Sequence, residues 1–259
     1  MDPQRTPLDG RRWHWVHGPI DLVIGAEGDE WAVDAAHERA WQRYSTILQE
    51  LVAELPQLKQ PVAPGGPCPL QGPIARRMWQ ACAAMPTDFI TAMAAVAGSV
   101  AEELIGCYRA AGIRRAWINN GGDIALHLAE GESLRVGLVA DITRRRTALD
   151  GRFEVQHTDP VRGIATSGWR GRSHSMGIAD SVTVLSATAS GADAAATVIA
   201  NAVNVDDARI RRAPASSLKD DSDLGDRLVT VDVPALPSTL VTQALARGLH
   251  VARELHALG

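Results

Sequence analysis

At 259 residues, 46% hydrophobic and 22% charged, the chain is long enough for one large domain with a sizeable core. A net charge of −4 excludes the broad basic field of a nucleic-acid binder. The longest apolar stretch, "ITAMAAVAGSV", is too short to span a bilayer, so no membrane partner is expected.

Cys68, Cys82 and Cys107 are odd in number and lack C-x-x-C spacing, offering neither a disulfide framework nor a zinc knuckle. Residues 1 to 12 carry five charges and no apolar core, so no secretory leader is expected and the location expected is cytoplasmic. Lys59 and Lys219 are the only lysines, so anion-binding groups are almost all planar guanidinium forks.

In chain order, "IDLVIGAEG" predicts a strand and "EWAVDAAHERAWQRYSTILQELVAEL" a helix that stops before Pro56. Residues 59–73, with five prolines and three glycines, predict an extended connector within a single 1–259 domain, whose two lobes would flank a central cleft. A short helix "IARRMWQACAAM" follows, then a longer one from Thr91 to about Ala111. Strands are predicted at "RAWIN", "IALHL", "LRVGLVAD", "GIATS" and "SVTVLSA". After these come a helix "SGADAAATVIANAV", a possible helix at "DARIRRAP", a strand "RLVTVDV" and a closing amphipathic helix from Ser238. Turns too short for crossover helices make the sheet mixed or antiparallel and the class α+β.

Three stretches stand out chemically. In "INNGGDI", Asn120-Gly121 or Gly121-Gly122 is a hairpin signal; the same glycines also let backbone N–H groups approach an anion, with Asp123 facing the cavity. In "SGADAAATVIAN", Asp193, Thr197 and Asn201 form one polar stripe on an otherwise apolar helix. Ser190 to Asp193 also fits a capping box, while Asp193 and Thr197 suit a hard cation held by oxygen ligands. In "TSGWRGRSHSMGIAD", an extended chain would project Arg172, His174 and Met176 to one side and Ser173 and Ser175 to the other. Arg172 would then anchor a carboxylate or phosphate and His174 would move a proton; an ordinary surface loop is the alternative.

Other charged or aromatic groups read more simply. "HTDPVRG" predicts a turn at Asp159-Pro160, and Arg144 to Arg146 a solvated hairpin end. Trp13, Trp15, Trp31 and Trp41 suit either a dimer interface or the core.

The order of these motifs resembles the FAD:protein FMN transferase (ApbE-like) superfamily, in particular an uncharacterised branch of short soluble proteins. The resemblance rests on Ala95–Gly98, Asn119–Asp123, Thr166–Gly168, Gly171–Asp180, Ala192–Asn201 and Ser222–Arg227. It implies an ApbE-like fold and a cleft taking FAD and Mg²⁺, in which FAD is split at its pyrophosphate and FMN passes to a threonine hydroxyl. It further implies that Asn120, Gly121, Gly122 and Asp123, with Thr166, Ser167, Gly168, Ser173 and Ser175, line the nucleotide cleft. Asp193 and Thr197 would be the metal ligands. The transferases' "H-x-x-D-P-x-T-G" after "TSG" is replaced here by "RSHSMGIAD", and the branch's histidine has moved two places, which keeps its face on a strand.

Three readings follow. One is a Mg²⁺-dependent flavin pyrophosphatase or transferase. Another is a non-flavin hydrolase, lyase or isomerase of a small carboxylate or phosphorylated metabolite, with Arg172 as anchor and His174 as acid or base; His174, Arg172 and Asp123 are the catalytic candidates overall. The last is a non-catalytic binding protein. All three imply a small anionic ligand, and a homodimer is expected.

Overall fold

The computed structural model describes residues 2–63, 65–139 and 150–258. Strands β1 (Gln4–Pro7), β2 (Trp13–His17) and β3 (Ile20–Gly28) form an antiparallel meander. Helix α1 (Glu30–Ala53) follows and buries Val33, Ala36, Ala40, Tyr44, Ile47 and Leu51, the three- and four-residue spacing of one helical face. The chain passes Pro56 by starting a new short helix, α2 (Leu55–Leu58), with that proline in its first turn, where no N–H is needed. Among the described residues of the connector none lies in a helix or strand before Pro73, and Pro61 pairs with Thr91 through an isolated bridge. Helix α3 (Pro73–Ala83) comes next.

The single helix expected from Thr91 to Ala111 is instead three pieces. A 3-10 turn (Ala92–Ala95) leads through a kink at Ala95 (φ −126°, ψ 18°) into α4 (Val96–Ile105), and another 3-10 turn (Gly106–Tyr108) ends it. The kink gives α4 its own N-terminus, whose first amides have no partner within the helix.

Strands β4 (Ile113–Asn120) and β5 (Asp123–Leu128) form a hairpin, and β6 (Ser133–Leu138) pairs with β7 (Gly151–Gln156) as a separate ribbon. The expected turn at Asp159 is present, its carboxylate accepting from Gln156 N at 2.8 Å. Arg144 to Arg146 lie outside the described residues. Strands β8 (Gly163–Ser167) and β9 (Val182–Ser186) complete an antiparallel seven-stranded sheet of order β1-β2-β3-β4-β5-β8-β9.

Helix α5 (Ala189–Ala202) is followed by β10 (Arg211–Pro214), α6 (Ala215–Leu218), β11 (Leu228–Asp232) and α7 (Ser238–Leu258). The helix considered for "DARIRRAP" is therefore corrected to a turn leading into β10, because Arg211 to Pro214 find ladder partners on β11. The class is α+β, as the pattern implied.

Alternation along β5 divides the layers. Ala125 joins the main core with Trp15, Leu22, Tyr44, Leu104 and Ile118, whereas Leu126 and Leu128 pack with Val136 and Val155 of the β6–β7 ribbon. Helices α1, α4 and α5 thus cover one sheet face and the ribbon the other. Trp15 is fully buried and Trp13 and Trp41 pack against the core; among the four candidate tryptophans only Trp31 stands out, 82% exposed. Among the described residues no helix is long and apolar enough to cross a membrane.

Candidate functional site

The β4–β5 turn is built by Gly121 and Gly122, with φ of +65° and +119°, between the paired residues Asn120 and Asp123. Side chains with a Cβ rarely tolerate two such conformations in succession, which explains the paired glycines. Asn119 locks the turn, its Oδ1 accepting from Gly122 N at 2.8 Å. Asn120 and Asp123 both face the helix layer: Asn120 Nδ2 donates to Ala97 O at 3.1 Å, at the start of α4.

Asp123 and Asp193 meet there from different elements. One oxygen of Asp123 accepts from Thr166 N at 3.1 Å on β8. One oxygen of Asp193 accepts from Gly98 N at 2.9 Å, so the α4 N-terminus points a backbone donor at that carboxylate. Glycine is required at position 98, because a Cβ there would lie 2.2 Å from Ala189 O and 2.9 Å from Asp193 Cβ.

Burial dominates the protonation of both acids. It pushes Asp123 up to about 7 against the lowering effect of the Thr166 N–H. It raises Asp193 as well, with the negative charge of Asp123 adding to the shift and the Gly98 and Ala97 amides opposing it. Asp193 as a residue keeps some solvent contact, while its carboxyl group is enclosed by protein. Burying two carboxylates side by side is costly unless a proton or a cation offsets their charge.

The capping box expected at Ser190–Asp193 is corrected. Thr188 is the N-cap of α5, its Oγ1 accepting from Gly191 N at 3.1 Å. Ser190 instead donates both N–H (3.0 Å) and hydroxyl (2.7 Å) to Glu102 on α4. Glu102 is in turn 3.3 Å from Arg77, and Arg77 and Arg43 flank Glu103 at 2.9 and 2.8 Å. This chain of ion pairs holds the start of α5, and so Asp193, against α3 and α4. Glu102 was missed in the sequence; its signal was a pair of acids on an otherwise apolar helix.

Thr197 lies half-buried one turn beyond Asp193. Asn201, a further turn along, accepts from Ser175 Oγ (3.0 Å) and Met176 N (2.9 Å), while Asn204 donates to Met176 O at 2.9 Å. Ser175 is therefore a buried anchor, and the extended alternation expected for residues 171–176 is corrected to a bend whose exit is pinned by α5. Arg172, Ser173 and His174 ride on the exposed part. Arg172 reaches back to the glycine turn, its guanidinium Nη1 3.4 Å from where a Gly121 Cβ would sit.

The "TSG" residues divide. The Thr166 amide serves Asp123, but its hydroxyl meets Thr183 Oγ1 at 2.9 Å. Ser167 is half-buried, and Gly168 permits close approach of the chain, a Cβ there falling 2.4 Å from Asp180 O. Asp180 also latches the loop by bonding Trp169 Nε1 (3.2 Å) and Arg170 Nε (2.6 Å). The structure thus gathers Asn120, Gly121, Gly122, Asp123, Asp193 and Arg172, while Ser175 and the Thr166 hydroxyl point elsewhere.

A family model described as "AbpE bacteria" matches residues 4–259. The chain belongs to that family. This is the ApbE-like grouping implied by the motif order. Relatives named UPF0280 protein include one from Methanothrix thermoacetophila, 35% identical over 62% of this chain and 65% of its own length. Another from Methanosarcina acetivorans is 33% identical over 79% of this chain and 76% of its own. The match spans 65% and 61% of the Methanothrix relative and of a relative from Methanocella arvoryzae. The apo form of Pseudomonas stutzeri flavinyl transferase ApbE aligns with 76% of this chain and 83% of its own, at 17% identity and a TM-score of 0.35. That likeness is too distant to transfer residue roles.

Proposed function

We propose that the chain is an enzyme that binds a phosphate-bearing ligand together with a divalent cation at the Asp123–Asp193 cleft. The observation that carries this is that Asp123 on β5 and Asp193 on α5 lie close enough for the charge of one to act on the other, Asp123 accepting from Thr166 N and Asp193 from Gly98 N. Their ionised forms repel, and a hard cation between them would relieve that cost.

The donor set fits Mg²⁺. Asp123 and Asp193 would supply carboxylate oxygens, and an ion held by one or two carboxylates would complete its shell with water and ligand phosphates. Thr197, one turn beyond Asp193, is the adjacent hydroxyl. When bound, such an ion neutralises charge developing on a bridging phosphate. Gly121 and Gly122 leave room for an anion against the turn, and Arg172 presents a guanidinium to it. Asn120 and Asn119 hold the turn in place. Given the family, FAD is the first ligand to test, with cleavage at its pyrophosphate or transfer of FMN as the reaction.

A second reading is favoured by Arg172 and His174 sharing one exposed loop at the mouth: a small carboxylate or phosphorylated metabolite, anchored by Arg172, with His174 as acid or base. The deciding experiment titrates EDTA-stripped protein with FAD, with and without Mg²⁺, and follows AMP by mass spectrometry. The first reading expects binding that requires Mg²⁺, weakens at least tenfold in Asp193→Asn and leads to AMP. Flavin binding indifferent to both, or none at all, would overturn it.

A further inference from the structure

A separate groove of about 670 Å³ lies between α1 and the chain from Gly106 to Ala111. It sits at the start of β4, whereas the Gly121–Gly122 turn follows that strand's other end, about 24 Å away for eight extended residues. Trp31, Ala35, Arg39 and Arg43 recur every four residues along α1 and form one wall. Arg109 stands on the opposite wall.

These cations are not equivalent. Arg43 is consumed by Glu50 (2.7 Å) and Glu103 (2.8 Å). Arg39 makes one bond, to Cys107 O at 3.0 Å, and remains exposed. Arg109 is exposed and has no ion-pair or side-chain hydrogen-bond partner among the described residues. Of the acids on α1 near the groove, Glu30 pairs with Arg11 and Glu38 with Arg5, while Asp34 is exposed one turn along from Trp31 and does not line the groove. Glu103, the one acid lining the groove, is neutralised by two arginines. The groove therefore offers two exposed guanidinium groups, one of them (Arg39) with a single bond to a backbone carbonyl and neither in an ion pair among the described residues, together with an indole that is 82% exposed.

From this arrangement we infer a second ligand site, independent of the carboxylate cleft, for a small planar aromatic anion. The ring stacks on Trp31 and its phosphate is gripped by Arg39 and Arg109. An indole supplies a flat apolar face, and paired guanidinium forks match phosphate oxygens. The groove's volume lies within the range of small-molecule sites.

The test is calorimetric titration with AMP and with phenyl phosphate, performed in the Asp193→Asn background so that the cleft does not contribute. Trp31→Ala and Arg109→Ala each alter an exposed side chain, so both variants fold. Each should weaken binding at least tenfold, and inorganic phosphate should bind more weakly than either aromatic probe with no dependence on Trp31. Absence of binding by both aromatic probes, or affinity unchanged in both groove variants, overturns the site. A wild-type dimer that becomes monomeric in Trp31→Ala also overturns it, assigning the groove to a second copy of the chain. Mg²⁺ titration of the otherwise unaltered cleft in Trp31→Ala should match wild type, which separates this outcome from failure of the cleft reading.

Discussion

Replacing Asp123 with asparagine tests the electrostatic argument most directly. In the folded chain burial raises this carboxyl to about 7 from an ordinary 3.8. Below pH 3.8 both folded and unfolded states hold the proton. Between about 4 and 7 the unfolded chain has released it while the folded chain retains it, so stability falls as pH rises through that window and levels off above it. A shift of roughly three units corresponds to about 4 kcal/mol as an upper bound. Asparagine removes the titration, and its side-chain oxygen still accepts from Thr166 N. The variant should therefore match wild type at pH 4 and exceed it at pH 8 by up to about 4 kcal/mol, or roughly 10 °C in Tm. Asp193 keeps its own burial-driven slope, so the variant's curve is shallower, not flat. Urea denaturation from pH 4 to 8 measures the effect. Added Mg²⁺ at ten times its Kd should return about 1.4 kcal/mol to wild type at pH 8 and much less to the variant. Parallel pH profiles for the two proteins would refute the picture of a desolvated carboxylate pair.

Three further substitutions probe the supports of the site. Gly98→Ala drives a methyl group against the Ala189 carbonyl, which cannot step aside, and should cost about 3 kcal/mol in urea denaturation along with cation binding. Asn201→Ala strips the partner from Ser175 Oγ and Met176 N; about 2–4 kcal/mol should be lost, and trypsin should cut faster at Arg170 and Arg172. Glu102→Gln removes the charge facing Arg77 while one oxygen can still accept from Ser190 N, so a loss of roughly 1–3 kcal/mol is expected, with weaker Mg²⁺ binding measured by calorimetry.

What the sequence disclosed followed the range of the forces involved. The glycine turn, the β8 and β9 strands and helix α5 are written in local patterns: two residues that tolerate positive φ, β-branched runs, and alanine at helical spacing. Ser190-x-x-Asp193 matched a local pattern too, but its hydroxyl is claimed by Glu102, 88 positions earlier, and its acid by the Gly98 amide. The break at Ala95 was equally hidden, because the residues around it are helix formers and the one weakening residue, Gly98, lies three positions later inside α4; its product, an α4 N-terminus aimed at Asp193, is a tertiary feature. Arg172 and His174 were placed by a strand period that does not apply, since Asn201 pins the loop into a bend. Arg172 nevertheless reaches the glycine turn by another route.

Helix α5 connects these observations. Its N-terminus is fixed by the Thr188 cap and by Glu102, its second turn carries Asp193, and Asn201 near its C-terminal end fastens the loop that bears Arg172. Asp193 and Asn201 are eight residues apart, about 12 Å along the axis. One rigid element therefore sets both the acidic floor and the base of the basic arm, and the arm spans back over Gly121 towards the floor. An anion alone would be repelled by ionised Asp123 and Asp193, whereas a divalent cation held between them would leave the Arg172 guanidinium to pair with an anion the cation carries. A phosphate carrying a divalent cation satisfies both at once. On the proposed reading, that complementarity would favour a metal–phosphate pair over either partner separately, and loosening α5 at either end should weaken both halves of the site together.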